Sequence, residues 1–123
     1  MVRSAGDGLI ERVWLCHHDV DLLTSWRDAA PGIRLVDSTR LRSVKGGPER
    51  LAATLQRQQI HAVNLHHSEW SGGLTTLFHR FGVLAFGWDA QHDRVLDGLL
   101  DGGIDGVYSD HTDRMMEAVA RAA

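Results

Sequence analysis

Short apolar runs alternate five times with longer segments in which apolar residues recur every three or four positions. Each run ends in polar or glycine residues, which is typical of a strand that leads into a helix. The alternation predicts five strands and five helices, joined as right-handed βα units around a parallel sheet. The five runs are VWLCHH at 13–18, IRLVDS at 33–38, HAVNLH at 61–66, VLAFGW at 83–88 and IDGVYSD at 104–110.

Local signals place the helices between these runs. Asp19 is expected to cap the first helix, which should end near Pro31, and Pro48 should lie in the first turn of the second. The third helix is expected to end at Gly82 and the fourth at Gly102. The predicted core-facing residues of the five helices are Val20, Leu22, Leu23 and Trp26; Leu51, Ala52 and Leu55; Leu74, Leu77 and Phe81; Val95, Leu96, Leu99 and Leu100; and Met115, Met116 and Val119.

Periodicity alone leaves an open doubly wound sheet and part of a closed barrel as alternatives. The glycine-rich phosphate loops of nucleotide-binding sheets are absent, and VKGGPER at 44–50 follows STRLRS rather than a strand. The strands instead share polar residues at their carboxyl ends, where a barrel keeps its active site. We therefore predict an α/β fold, a partial (β/α) TIM-type barrel of five βα units with parallel strands. The strand-end residues are His17, His18, Asp37, Ser38, Asn64, His66, Trp88, Asp89, Ser109 and Asp110.

Length, charge and cysteine content narrow the class of protein. A chain of 123 residues fits one domain, and a net charge of −3 argues against nucleic acid as a partner. The single cysteine, Cys16, cannot form an internal disulfide and is expected to be a small buried apolar residue. We find no signal peptide or membrane span in the sequence, and we expect a cytoplasmic protein.

Two C-terminal segments carry a family resemblance. FGVLAFGWDAQ at 81–91 and LLDGGIDGVYSDHTDRMMEAV at 99–119 resemble the last two βα units of the glycerophosphodiester phosphodiesterases. In that family a strand ends in Trp-Thr-Val-Asn, and a Gly-Val-Asp-Gly turn leads into a strand ending in Thr-Asp-Arg-Pro. Trp88 falls on the tryptophan, Asp105 and Gly106 on the Asp-Gly of the turn, and Asp110 on the last aspartate.

The resemblance extends upstream. AVNLHHSEW at 62–70 is similar to the family strand that carries an asparagine, here Asn64, and RVWLCHHDVDLL at 12–23 takes the place of the strand ending in Ser-Phe. It implies that residues 11–123 form the C-terminal portion of a glycerophosphodiester phosphodiesterase-like TIM barrel, behind a flexible tail at 1–10. It also implies substrate binding by Trp88, Asn64 and Asp110.

The family motifs that perform the chemistry do not occur in this chain. They are a His-Arg-Gly strand, a Glu-x-Asp strand, a His-Asp turn and a Glu-x-Lys strand, which hold a divalent metal (Mg or Ca), the phosphate and the catalytic histidines. The sequence therefore assigns no catalytic residue, no metal ligand and no cofactor to this chain alone. We expect a truncated or split enzyme of lipid and glycerol metabolism, which hydrolyses glycerophosphodiesters to glycerol 3-phosphate and an alcohol when the metal-bearing N-terminal half is present. The alternative is a non-catalytic half-barrel that binds a small ligand or a partner.

Individual residues at the strand ends have alternative roles. Asp37, Asp89 and Asp110 can serve a site, or they can cap helices and accept hydrogen bonds from loop amides. Trp88 can form an apolar wall for an alcohol or pack inside the barrel. Neighbouring histidines on a strand should point to opposite faces, so we expect solvated or hydrogen-bonded histidines rather than a metal site. These histidines are His17, His18, His66, His67 and His111.

The outer strands of a half-barrel have no neighbours, which leaves unpaired backbone groups at both edges. The sequence therefore predicts self-association, poor solubility or pairing with a missing N-terminal half. The predicted inner-face residues, on whichever register the pleat selects, include Val13, Leu15, Leu35, Val63, Leu65, Val83, Ala85 and Val107.

Overall fold

A computed structural model describes residues 14–108, 117–118 and 120–121. Five strands form one sheet in the order of the chain, and every neighbouring pair is parallel. The predicted partial TIM-type barrel is confirmed. The strands are β1 Trp14–His17, β2 Arg34–Ser38, β3 Ala62–His66, β4 Leu84–Trp88 and β5 Gly106–Val107.

Four helices connect the strands, close to the predicted positions. Asp19 caps the first as expected, since its Oδ1 accepts hydrogen bonds from the amides of Asp21 at 3.0 Å and Leu22 at 3.3 Å. Pro48 lies in the first turn of the second helix. Two short 3-10 turns, Leu41–Ser43 and His67–Glu69, follow β2 and β3. The helices are α1 Val20–Ala29, α2 Gly47–Arg57, α3 Gly72–Arg80 and α4 Asp93–Asp101.

The main hydrophobic core lies between the sheet and the helices. Most of the predicted helix faces are confirmed, because Leu23, Leu51, Ala52, Leu55, Leu96 and Leu99 are buried. In α3 the deepest residue is Phe78, which the sequence reasoning did not include, while Leu74 and Phe81 pack around it at the edge of the core. The layer of aliphatic side chains between strands and helices is therefore what holds the described fold together.

The predicted inner-face residues are on the other side of the sheet. Leu35, Val63, Leu65 and Val83 belong to the main core under the helices, and Leu15 packs against that core. Ala85 is buried in a second helix-side cluster, against which Val107 packs. The prediction was wrong because it gave the aliphatic positions to the barrel interior, whereas they fill the larger space between sheet and helices.

The opposite side of the sheet is concave, and we call it the concave face. Trp14 on β1 and Phe86 on β4 are three strands apart, yet their ring centroids lie 5.5 Å from each other. Side chains alternate along strands, so the strand register fixes which residues share this face. They are Trp14, Cys16, Arg34, Val36, Ser38, Ala62, Asn64, His66, Leu84, Phe86 and Trp88.

Cys16 is exposed on the concave face, so its predicted burial was wrong. Its Sγ lies 3.6 Å from the hydroxyl oxygen of Tyr108, just beyond β5. The thiol is exposed because it points into the concave side rather than into the helix-side core. The curvature thus brings the two edges of the sheet within side-chain contact.

Several predicted features lie outside the described residues. These are the tail at 1–10, Val13, the strand-end residues Ser109, Asp110 and His111, and the last core-facing set Met115, Met116 and Val119. Within the described part, residues 117–118 and 120–121 are helical, and Ala118 is buried. None of the described helices is long and apolar enough to cross a membrane.

Candidate functional site

A cavity of about 450 Å³ opens at the carboxyl ends of β1, β2 and β4. Its walls combine one guanidinium, one imidazole, three hydroxyl groups and one indole, a mixture suited to an anionic and partly apolar ligand. We call it the mouth cavity. It is lined by His18, Ser38, Thr39, Arg40, Ser43 and Trp88.

Arg40 is the cationic group of the mouth cavity. Its guanidinium carbon lies 5.7 Å from the ring centroid of Trp88, which is a cation–π contact. Its Nε is buried and has no hydrogen-bond partner. Next to it, the Leu41 amide donates to Glu69 Oε1 at 3.1 Å, while Glu69 Oε2 is buried without a partner. This corner of the fold therefore holds an unpaired donor and an unpaired acceptor.

Two of the three predicted substrate-binding residues lie at this end of the sheet. Trp88 is half-buried and lines the mouth cavity. Asn64 is buried on the concave face, where its Nδ2 donates to Ser38 Oγ at 3.3 Å and its Oδ1 has no partner. Ser38 thus connects Asn64 to the cavity. Asp110 lies outside the described residues, and the substrate-binding role of all three stays a prediction.

The neighbouring histidines His66 and His67 do not point to opposite faces. Their ring centroids are 4.3 Å apart, because the strand ends at His66 and a 3-10 turn begins at His67. The same holds for His17 and His18, whose rings stack at 4.4 Å just where β1 ends. The prediction was wrong because strand alternation does not continue past the last residue of a strand.

Asp89 makes its contact with His66 rather than with a helix. His66 Nε2 lies 3.1 Å from Asp89 Oδ2, and the backbone of Asp89 is left-handed, with a φ of 62°. The residue before α4 is His92, which makes no capping hydrogen bond, so the capping role considered for Asp89 is wrong. The hydrogen bond with His66, followed by that from Gln91, holds the pKa of Asp89 below its usual value.

Electrostatics at this corner also affect His67. Burial lowers the pKa of His67, and positive charge on His66 and His92 lowers it further, while Asp89 acts in the opposite direction. The imidazole of His67 is therefore biased toward its neutral form, which is the form that accepts hydrogen bonds.

Asp37 does not reach the mouth cavity. It is 2% exposed on the helix side of β2, and its Oδ1 is buried without a partner, so the proposed contact with loop amides is not seen at this oxygen. Burial raises the pKa of its carboxyl group to about 7. Asp89, by contrast, contacts His66 at the carboxyl ends of β3 and β4.

Arg40 and Ser43 were not recognised from the sequence. Arg40 comes two residues after the end of β2, within STRLRS at 38–43. A usable signal was present, because a cation directly after a parallel strand falls at the carboxyl edge of the sheet, where ligands bind. The position of Ser43 depends on the 3-10 turn Leu41–Ser43, and this turn cannot be recognised from the pattern of hydrophobic residues.

Several solved structures resemble this chain, among them these three. One is a protein assigned as a glycerophosphoryl diester phosphodiesterase from Silicibacter pomeroyi, with a TM-score of 0.82, 15% identity, and coverage of 98% of this chain and 41% of that one. Its counterpart from Agrobacterium tumefaciens gives a TM-score of 0.75 at 18% identity, covering 94% and 45%. A phosphodiesterase of Oleispira antarctica, in complex with the product sn-glycerol-3-phosphate, gives 0.73 at 16% identity, covering 87% and 41%.

The chain has the fold of part of these barrels. It spans less than half the length of each of the three structures. No family model matches the sequence, and no curated protein matches it. At this level of identity the likeness concerns the fold, so the chemistry has to be argued from the residues at the mouth.

The divalent metal implied by the resemblance does not fit the described residues. Mg²⁺ and Ca²⁺ prefer a set of oxygen ligands, mainly carboxylates and carbonyls. Within the described residues, the group of three potential ligands that come together is His66, His67 and Asp89, with a single carboxylate. No catalytic step through a Mg²⁺ or Ca²⁺ ion can therefore be assigned to this part of the chain.

Proposed function

We propose that this chain is the C-terminal part of a glycerophosphodiester phosphodiesterase and supplies the substrate-binding mouth of that barrel. The complete enzyme hydrolyses glycerophosphodiesters to glycerol 3-phosphate and an alcohol in the cytoplasm. The observation that carries the proposal is the mouth cavity, with Arg40 facing Trp88 at the carboxyl ends of the strands. The shared fold supports it, because one of the similar barrels binds sn-glycerol-3-phosphate.

The polar groups of the cavity match a polyol phosphate. A phosphate accepts hydrogen bonds from the Arg40 guanidinium and from the hydroxyls of Ser38, Thr39 and Ser43. Glycerol hydroxyls can donate to the serine and threonine oxygens that line the cavity, whereas the unpaired acceptors Asn64 Oδ1 and Glu69 Oε2 nearby are buried and do not line it. A ligand with both anionic oxygens and hydroxyl groups therefore suits this corner better than a simple anion.

Trp88 provides the apolar wall in this arrangement. Its ring packs edge-on against His66, with centroids 4.7 Å apart and an interplanar angle of 85°, and this contact holds the indole at the strand ends. The carbon chain of the alcohol or glycerol moiety then packs on the indole, next to the phosphate position. In the proposed enzyme Asn64 and Asp110 contribute further substrate contacts.

Hydrolysis needs groups beyond this binding surface. A phosphodiester requires stabilisation of charge on its equatorial oxygens and proton transfer at the attacking and leaving oxygens. Near the mouth the described residues offer the Arg40 cation and the carboxylates Asp89 and Glu69, and they contain no carboxylate cluster for a divalent metal. We therefore assign metal binding and acid–base catalysis to a metal-bearing N-terminal half, which pairs with the β1 and β5 edges.

The proposal is tested by glycerophosphocholine hydrolysis with added Mg²⁺ or Ca²⁺. The isolated chain should show no metal-dependent turnover, and mixing or fusing it with the metal-bearing half of a related barrel should restore activity. In the restored enzyme Trp88→Ala should lower kcat/KM mainly by raising KM, because an apolar wall contributes to binding more than to the transition state. Trp88→Phe keeps an aromatic wall and serves as the matched control.

Two results would contradict this proposal. Robust turnover by the isolated chain would show that its own residues hold the catalytic groups. An unchanged KM in Trp88→Ala would show that the indole packs inside the barrel and does not contribute to substrate binding.

A second candidate is a non-catalytic half-barrel that binds a small ligand or a partner through the same mouth. It is favoured by the presence of a formed cavity without a carboxylate metal cluster in the described residues. Saturable binding of sn-glycerol 3-phosphate, together with no activity in any combination with a metal-bearing half, would select this alternative.

A further inference from the structure

The carboxyl ends of β3 and β4 bring two imidazoles and one carboxylate together. His66 ends β3 and is in register with Trp88, the last residue of β4, so Asp89 comes directly after that strand and lies next to His66. The 3-10 turn that starts at His67 folds the second imidazole back over the first. One ligand atom from each of His66, His67 and Asp89 lies within 4.8 Å of the other two.

We propose that His66, His67 and Asp89 form a binding site for a divalent transition metal, with Zn²⁺ as the expected occupant. Two imidazole nitrogens and one carboxylate oxygen are ligands that Zn²⁺ binds in proteins, whereas Mg²⁺ and Ca²⁺ select oxygen ligands. Three protein ligands leave a fourth position open to a solvent molecule or a ligand. This site differs in composition from the oxygen-rich metal site implied by the family resemblance.

Groups next to the three side chains are placed to orient them. In the metal-free structure His66 Nδ1 accepts a hydrogen bond from the Ser68 amide at 3.3 Å, and Ser68 Oγ lies 2.8 Å away; when Nε2 binds a metal, the proton moves to Nδ1 and Ser68 Oγ accepts a hydrogen bond from it. On the other side, Gln91 Nε2 donates to Asp89 Oδ1 at 3.3 Å and leaves Oδ2 directed toward His66. Such outer contacts fix the tautomer and the orientation of metal ligands.

The metal-free arrangement is close to the bound one. His66 Nε2 and Asp89 Oδ2 are 3.1 Å apart, a distance at which a proton takes the place of the metal between them. Metal–nitrogen bonds are about 2.0–2.1 Å long, so binding requires small rotations of the three side chains. The Asp89 side chain is 48% exposed and the His66 side chain is 18% exposed, so the carboxylate has room to adjust around a more fixed imidazole.

The left-handed backbone of Asp89 supplies a well-matched test variant. Asparagine tolerates this conformation as well as aspartate does, so Asp89→Asn removes the charge without adding backbone strain. His67→Gln removes the second imidazole and keeps a polar side chain. The matched control is His18→Gln, which alters the other stacked histidine pair, His17 and His18, at a centroid distance of 4.4 Å.

The experiment is a titration of the tag-free full chain with Zn²⁺, followed by calorimetry, and with Co²⁺, followed by visible absorption. We expect one Zn²⁺ per chain and a Co²⁺ absorption band, with affinity at least about tenfold weaker in Asp89→Asn and His67→Gln. His18→Gln should retain the affinity of the wild type. Circular dichroism of each variant checks its fold, and Asp89→Asn decides the question if His67→Gln does not fold.

The site is independent of the proposed hydrolysis, because its readout is metal binding by the chain alone. Absence of Zn²⁺ binding would overturn it, and so would equal affinity in the wild type and Asp89→Asn. An equal loss in His18→Gln and Asp89→Asn would also overturn it, since that pattern reports a general affinity of surface histidines.

Discussion

The two faces of the sheet differ in how completely they are covered. On the helix side, Leu35, Val63 and Leu65 are fully buried under α-helices. On the concave face, Trp14 remains 38% exposed and Leu84 37% exposed, although both are large apolar residues. The helix side of the sheet is therefore a fully packed core, whereas on the concave face some large apolar side chains remain in contact with water.

The difference separates the parts of the molecule that hold the fold from the parts available for binding. The helix-side core accounts for most of the stability of the described structure, because it contains all of the largest fully buried side chains except Val36. The concave face and its rim carry exposed aromatics, the mouth cavity and the unpaired buried atoms Arg40 Nε, Asn64 Oδ1 and Glu69 Oε2. Substitutions on the two faces should therefore have different consequences.

The largest expected effect is on the free energy of unfolding, and it is measured by comparing two leucine-to-alanine variants on neighbouring strands. Leu65→Ala empties a fully buried helix-side position and should lower the free energy of unfolding by about 2–5 kcal/mol. Leu84→Ala, on the concave face, should cost less than about 1 kcal/mol, because the side chain is already 37% exposed. Urea denaturation of both variants measures the difference, and equal losses would show that the concave face is as well covered as the helix side.

The second largest effect is a dependence of folding stability on pH, and it comes from Asp37, which is buried on the helix side. Its pKa is raised to about 7 in the folded chain, above the ordinary value near 3.9 of an unfolded aspartate. The folded state therefore keeps a proton that the unfolded state loses. Stability should fall as the pH rises from about 4 to about 7, by up to about 4 kcal/mol, and should level off above that range.

Asp37→Asn should remove this pH dependence and be more stable than the wild type at pH 8. Asp28→Asn is the control, because it makes the same change in charge at an exposed position of α1. Unfolding midpoints measured from pH 4 to pH 8 test the prediction. A wild-type stability that rises over this interval would contradict the assignment of a neutral, buried Asp37.

The smallest effect concerns association through the concave face and the open edges β1 and β5. We expect the wild-type chain to self-associate at micromolar concentration, since exposed apolar side chains favour contact with a second chain, as do strand edges that have no neighbouring strand among the described residues. Trp14→Lys should raise the dissociation constant at least about tenfold, which corresponds to about 1.4 kcal/mol. Gln56→Lys adds the same charge on the exposed side of α2 and should leave association unchanged.

Sedimentation velocity over a concentration series measures these dissociation constants. A monomeric wild type with a cooperative thermal transition would show that the exposed concave face does not drive association. Equal effects of the two lysine variants would attribute association to net charge instead.

The fold was predictable because its signals are local and repeated. Five apolar runs at regular spacing, the Asp19 cap and Pro48 at a helix start lie within one or two residues of the observed elements. It was harder to predict which side chains of each strand point toward the helices and which point toward the concave face. In a parallel sheet both faces are apolar, so the alternation that separates inside from outside in other sheets is weak.

The candidate site was predictable only in part. Trp88 and Asn64 follow from their position at strand ends, together with the family resemblance. Arg40 and the pair of His66 and His67 depend on the two 3-10 turns after β2 and β3, which set where side chains point once the strand has ended. Such turns arise from contacts such as that between Glu69 and the Leu41 amide, which join residues far apart in the sequence.

The most direct test of the proposed binding mouth is an equilibrium titration of the chain with sn-glycerol 3-phosphate, followed by NMR chemical shifts of the backbone amides. We predict saturable shifts centred on the residues of the mouth cavity, weakened at least about tenfold by Arg40→Gln, because the guanidinium pairs with the phosphate. Arg42→Gln, which makes the same change in charge at an exposed position in the same turn, should leave the affinity unchanged. Shifts that do not saturate, or an equal loss of affinity in Arg40→Gln and Arg42→Gln, would contradict the assignment of this cavity as the phosphate-binding part of the barrel.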